Sequence, residues 1–142
     1  MTRIEFFFNV EDKLKKVAEL SEKAVMKQRR LMVFAPDQET VQALGNMLWT
    51  QSPTSFLPHC KATDENAEDT PVIIDWQGDT LPHHDVLINL QSSHPPFFSR
   101  FTRLIEIVGQ EEQDKVVARK RYKFYRDRGY EMRSFDASGA AI

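Results

Sequence analysis

Between residues 115 and 126 the chain carries Lys115, Arg119, Tyr122, Lys123 and Arg126. At roughly 100° per residue, a helix gathers Lys115, Arg119, Tyr122 and Arg126 within about 60° of one another, with Lys123 at the edge of that face. A cationic stripe holding one aromatic ring can take an acidic peptide, a free carboxylate or a nucleic-acid backbone. The same pattern also describes a solvated cationic face. Such a face is favoured near a helix C-terminus by the dipole and can pair with the first-turn acids Glu111, Glu112 and Asp114. Val117, Ala118, Phe124 and Tyr125 fall on a neighbouring side and should face the rest of the fold. Arg121 lies in that inward arc, so it is either tethered there or reaches out along its aliphatic stem.

A second group is Leu48-Trp49 followed by Ser55-Phe56-Leu57-Pro58-His59. Proline lowers the entropy of a loop and so the cost of presenting it rigidly. Trp49 and Phe56 in that setting have the character of interface anchors. The alternative is that both rings cap the core. Other chemistry is poorly supplied. His83-His84-Asp85 invites a metal, but adjacent extended side chains point to opposite faces and no further ligand lies at the right spacing, so a solvated loop is expected. Cys60 follows His59 with no partner acid evident and reads as a half-buried thiol rather than a nucleophile. No Gly-x-Ser-x-Gly elbow occurs. Glu111-Glu112 suits a helix start better than acid–base work.

The elements that must position these residues follow from apolar periodicity. Ile4 to Val10, with Phe6, Phe7 and Phe8 in a row, reads as a strand buried on both faces. A helix is predicted over about 11–28, with Leu14, Val17, Ala18, Ser21 and Val25 inward and Lys13, Lys15, Lys16, Glu19 and Lys23 mostly away from that stripe. Arg30 to Ala35 is a second strand, and Asp37 caps a helix whose stripe is Val41, Leu44 and Leu48. Thr50 to His59 is a proline-punctuated loop, and Lys61 to Thr70 a mobile, acidic surface loop. Strands are expected at Pro71 to Trp76, Asp85 to Leu90 and Arg103 to Val108, with Trp76 at the core edge. Pro95 to Phe98 opens a short turn or helix. The last helix covers 110–128 and stops at Gly129, and Tyr130 to Ile142 adds an edge strand and then frays.

The order strand–helix–strand–helix predicts an α/β fold with a mostly parallel sheet and right-handed crossovers. The first strand–helix junction, Phe8-Asn9-Val10-Glu11-Asp12, has no glycine and carries two acids, so no nucleotide-binding loop is expected there. Length suits one domain over 1–142. A net charge of -2 over 142 residues gives no global field for nucleic acid, so any basic site must be local. The single cysteine, the lack of a signal pattern and the lack of a long apolar run point to the cytoplasm and away from a membrane.

Taken together, Leu44-Gly45-Asn46-Met47-Leu48-Trp49, Ser55-Phe56-Leu57-Pro58-His59, Asp85-Val86-Leu87-Ile88-Asn89-Leu90 and Ala118-Arg119-Lys120-Arg121-Tyr122-Lys123-Phe124-Tyr125-Arg126 with Gly129-Tyr130 resemble the chi subunit of bacterial DNA polymerase III holoenzyme. The resemblance covers nearly the whole chain and rests on the order and spacing of these segments. It implies a three-layer α/β/α Rossmann-like domain without a nucleotide or other cofactor. It also implies a non-catalytic accessory role in DNA replication, with any polymerase or nucleotidyltransferase label belonging to the complex. The implied partners are the psi subunit, which tethers chi to the clamp loader, and the acidic C-terminal tail of single-stranded-DNA-binding protein. DNA is then reached only indirectly, with no membrane and no small-molecule substrate. The tail-binding positions map to Val108, Lys115, Arg119, Tyr122 and Lys123, with Arg126 added from the stripe. The psi-facing surface maps to the region of Trp49, Phe56 and Pro58. Two other readings stand beside this one: direct nucleic-acid binding through helix 110–128, and a small enzyme of unknown reaction.

Overall fold

The apolar runs of the sequence become the interior strands of one parallel sheet. The structure, a computed structural model, describes residues 2–50 and 58–142, without the side chain of residue 50. The strands are β1 (Arg3–Val10), β2 (Leu31–Phe34), β3 (His59–Cys60), β4 (Val72–Asp75), β5 (Val86–Asn89), β6 (Arg103–Gly109) and β7 (Glu131–Asp136). Three helices connect them: α1 (Lys13–Met26), α2 (Gln38–Thr50) and α3 (Glu112–Asp127). Spatial order is β3-β4-β2-β5-β6-β1-β7, and every pairing is parallel. The two-residue β3, which pairs with β4, was not expected from a proline-rich loop.

Strands β2, β4 and β5 are buried along their whole length, as parallel strands covered on both faces must be. One face carries Leu31, Val33, Ile74, Ile88, Ile105 and Ile107 against Val17, Ala18 and Leu20 of α1 and Val41, Leu44 and Leu48 of α2. The opposite face carries Ile4, Phe6, Met32, Ile73, Leu87, Leu104 and Val108 against Ala118 and Tyr125 of α3 and Phe97, Phe98 and Phe101. The result is three layers. From β1 through β2 to β3 the chain moves one way across the sheet, and from β6 to β7 the other way. Right-handed crossovers therefore put α1 and α2 on one face and α3 on the other.

Local signals set the ends of the elements. The Asp12 side chain accepts the Lys15 amide at 3.2 Å. Asp37 accepts the Thr40 amide at 2.8 Å and the Thr40 hydroxyl at 2.7 Å. Gly129, at φ 80°, ends α3 in the left-handed conformation as the sequence predicts. Asn9 takes the same unusual backbone, φ 63°, at the end of β1. The β1–β6 register shifts between Phe7 and Val10. The bulge leaves Phe8 beside Phe6 on the α3 side and turns Val10 toward α1.

Four expectations need correction. Lys16 is buried, not solvated on α1. Its ammonium donates to the Ala137 carbonyl at 2.8 Å and lies 5.0 Å from the Phe7 ring centroid. His83 is also buried, against the expected solvated loop, with Nε2 at 2.5 Å from the Thr70 carbonyl; His84 is exposed. Segment 61–70 is not wholly a surface loop, because Ala62, Ala67 and Thr70 are buried and Ala67–Asp69 forms a 3-10 turn. Each of these burials is made by a contact distant in sequence. Trp76 is more open than a core edge, at 39%.

Candidate protein-binding site

The position of α3 is set from below by a buried polar cluster. Glu106 of β6 is wholly buried. Its carboxylate accepts from Arg121 Nε at 3.0 Å, from the Tyr125 hydroxyl at 2.6 Å and from Asn89 Nδ2 at 3.1 Å to each oxygen. Arg121 is 5% exposed and donates its second bond to the Ser92 carbonyl at 2.9 Å. Burial pushes the Glu106 carboxyl up, opposed by Arg121, Tyr125 and Asn89. Burial and the neighbouring carboxylate also raise Tyr125. Of the two courses open to Arg121, the structure takes the tethered one. Its cation belongs to the interior and is lost to the outer face.

With Arg121 and Tyr125 inward, the helix turns its cations out. Arg119, Lys123 and Arg126 are exposed and Lys115 is half-buried. The first-turn acids do little to neutralise them. Arg119 meets Glu112 at 3.8 Å, between two exposed side chains, and Arg126 meets Asp127 at 3.6 Å. Exposed pairs of this kind are worth about 0–1 kcal/mol and yield easily to another anion. Among the described residues Lys115 and Lys123 form no ion pair. Tyr122 is half-buried, its ring 5.2 Å from Phe6 and tilted by 59°, while Phe6 stacks on Phe8 at 5.6 Å. An aromatic ledge thus lies beside the cations. Val108 is 1% exposed, so it can act only as floor beneath that ledge. Phe124 is covered separately, with His94 stacked at 3.7 Å and the Arg128 guanidinium 3.8 Å from its ring centroid.

The first-turn acid Asp114 is engaged elsewhere. It accepts the Gly109 amide at 2.5 Å and pairs with Lys13 at 2.8 Å. A Cβ on Gly109 would come within 3.1 Å of that carboxylate and 3.3 Å of the Lys13 side chain, so the pair would have to shift by a few tenths of an ångström. Burial alone would raise Asp114, but the bonds from Lys13 and Gly109 outweigh it and hold the carboxyl below its usual 3.8. A lowered carboxylate stabilises the fold above its unfolded pKa and loses that contribution as pH falls through the folded value. The stability gap between the parent protein and Asp114→Asn should therefore be constant from neutral pH to about 5 and close below about 4. Thermal melts across that range measure it. A gap independent of pH would mean that the carboxylate charge adds nothing.

Asp114 also lines a cleft of about 610 Å³ between the carboxyl ends of β1 and β6 and the start of α3, together with Glu11, Lys13 and Glu111. This is where open α/β sheets usually hold ligands. Three acids to one lysine make it a poor seat for a phosphate. At the far edge of the sheet Trp49, at the end of α2, is 65% exposed, which rules out the reading that this ring caps the core. A second cleft, lined by Gly45, Asn46, Trp49, His59 and Cys60, opens beside it. Pro58 is exposed, and Phe56 lies outside the described residues. Burial pushes the Cys60 thiol up, with Asp64 adding to the shift against a bond from Thr70. A thiol held protonated is a poor nucleophile. Among the described residues no group of three or more His, Cys, Asp or Glu could hold a metal ion. No helix among them is long and apolar enough to cross a membrane.

The sequence matches the family model of the DNA polymerase III chi subunit, HolC, over residues 1–133. The chain belongs to this chi family. The match runs from the first strand through α3 into β7, so the cationic helix and the Trp49 region both lie within the chi-family portion. DNA polymerase III subunit chi of Pseudomonas aeruginosa is 31% identical over 134 residues, covering 92% of this chain and 93% of that protein. The subunit chi of Escherichia coli is 32% identical over 105 residues, 73% of this chain and 71% of that protein. The Haemophilus influenzae subunit chi is 30% identical over 105 residues, 73% of each.

Sequence reasoning passed over two features of this chi-family fold. Neither Glu106 nor Glu5 was singled out. Both carried a signal, since an acid inside a doubly buried apolar strand, as in Leu104-Ile105-Glu106-Ile107-Val108, requires a partner. For Glu106 that partner was already visible as the arginine on the inward arc of α3.

Proposed function

We propose that this chain is a non-catalytic adaptor of the DNA polymerase III assembly, linking the clamp loader through psi to the acidic C-terminal tail of single-stranded-DNA-binding protein. One observation carries the reading: outward-facing, weakly paired cations on α3 lie beside a half-buried tyrosine over an aromatic floor. The tail is acidic and ends in an aromatic residue with a free carboxylate. Lys115, Arg119, Lys123 and Arg126 meet its charge, and Tyr122 with the floor of Val108 receives the terminal ring. The exposed Trp49 and Pro58 are assigned to the psi-facing surface, away from α3. An adaptor of this kind works in the cytoplasm and makes or breaks no bond.

The test is a titration of a labelled tail peptide. Micromolar binding, about -8 kcal/mol, is expected, weakened tenfold or more by removing the terminal aromatic residue or by Arg119→Ala. No binding at low salt would remove the tail from this helix.

A further inference from the structure

The amino-terminal edge of the sheet carries a cleft of about 550 Å³ at the end opposite the acid-lined one. Leu20, Ala24, Val86 and Ile105 give it an apolar floor, and Arg3, Lys23, Lys27, Arg29 and Arg103 surround it. On a chain with a net charge of -2, this is a strong local concentration of positive charge. The cations come from separate places: Arg3 from the start of β1, Arg103 from the start of β6, Lys23 and Lys27 from the end of α1, and Arg29 from the turn before β2. The dipole at the end of α1 accounts for a lysine at 23 and at 27. It does not account for the two arginines that face them from the sheet.

Carboxylates offset part of this charge, among them Asp85 and Glu131, which line the cleft themselves, and the buried Glu5. Glu5 is buried and is shared by two arginines, with Arg3 Nε at 2.8 Å and Arg103 NH2 at 2.6 Å. One buried acid thus holds two guanidinium groups at the cleft and neutralises only one. Asp85 accepts the backbone amide of Arg30 at 2.9 Å, and Glu131 faces Arg133 at 3.6 Å. Lys23 pairs with Glu19 at 3.5 Å. Lys27 and Arg29 are exposed and form no ion pair among the described residues.

We propose that this cleft binds the sugar–phosphate backbone of single-stranded DNA. Arg103 spends its Nε–NH2 edge on Glu5, so Arg3 and Arg103 offer phosphate oxygens only the guanidinium nitrogens turned away from that acid, and the exposed cations Lys27 and Arg29 extend the contact along a strand. Among the described residues no aromatic ring lines the cleft, so they stack no bases there and binding is independent of sequence. The choice of DNA over an acidic protein rests on the reading of the chain as a subunit of a DNA polymerase assembly. The cleft is separate from α3, so it can hold a strand while α3 holds a peptide.

The experiment follows anisotropy of a fluorescein-labelled oligothymidylate on the full chain as salt is raised. Lys27→Glu/Arg29→Glu alters two exposed side chains and spares the buried Glu5 cluster. It is expected to weaken binding at least tenfold and to flatten the dependence of log K on log salt by roughly 0.7 per lost phosphate contact. Arg119→Ala should leave oligonucleotide binding unchanged, and the cleft variant should leave tail-peptide binding unchanged. Failure of this proposal and failure of the adaptor reading are therefore seen in different titrations. The proposal is overturned if the oligonucleotide does not bind at low salt, or if Arg119→Ala and not the cleft variant abolishes binding. It is also overturned if polyglutamate displaces the strand at equal charge concentration, which would make the cleft a seat for acidic protein.

Discussion

Replacing Glu106 with alanine should destabilise the fold by about 3–5 kcal/mol, the cost typical of breaking a buried ion pair by removing one partner. At this chain length that is a fall in melting temperature of roughly 10 °C or more. The reason is the geometry of the cluster. Arg121 would keep its position under α3 with only the Ser92 carbonyl as partner, and the Tyr125 hydroxyl would lose its acceptor, while the Asn89 amide would keep the Ser93 carbonyl. Arg121→Ala should cost a similar amount, because it strands the carboxylate instead. Glu106→Leu/Arg121→Met/Tyr125→Phe should lose much less than the singles sum to, since it removes the charges together and leaves no buried charge unpaired. Thermal or denaturant melts of the four proteins decide the matter. Additive losses would show three independent contacts rather than one coupled unit.

Reversing the outer face should do the opposite: a large loss of binding with little loss of stability. Lys115→Glu/Arg119→Glu/Lys123→Glu places three acids where an acidic tail would lie. Each reversal replaces an attraction with a repulsion, so tail-peptide affinity is expected to fall more than a hundredfold, about 2.7 kcal/mol or more. The melting temperature should move by no more than a few degrees, because surface substitutions away from buried features usually change stability by within about 0.5 kcal/mol. Calorimetric titration paired with a melt separates the two effects. Retained peptide binding in a folded triple variant would place the tail elsewhere on the molecule.

Much of this architecture is legible in the sequence where the signal is periodic. Val41, Leu44 and Leu48 predict the buried stripe of α2, and all three are buried. Asp37 and Gly129 predict one helix start and one helix stop. The face of α3 is also legible, because one angle per residue separates Tyr125 and Ala118 from Arg119 and Arg126. What the sequence conceals depends on chain segments far apart. Lys16 looks like any solvated lysine until the Ala137 carbonyl, 121 positions away, accepts its ammonium. His83 looks like half of an exposed pair until Thr70 meets it. Strand β3 has too few residues to show a period, and it exists because β4 offers an open edge. The basic cleft draws on residues 3, 23, 27, 29 and 103, which no local window contains.

The place of β1 in the sheet also governs the order in which the protein can be built. Its neighbours are β6 and β7, with Arg3 in register with both Arg103 and Glu131. During synthesis the strand bearing Phe6, Phe7 and Phe8 emerges well before β6 and β7, the two strands that flank it. Pairings this distant in sequence make folding slow, and apolar strands left uncovered in the interval are prone to aggregate. The aromatic segment thus waits for its partners while the intervening residues are made, and production of intact protein should depend on how well that segment is shielded until β6 arrives.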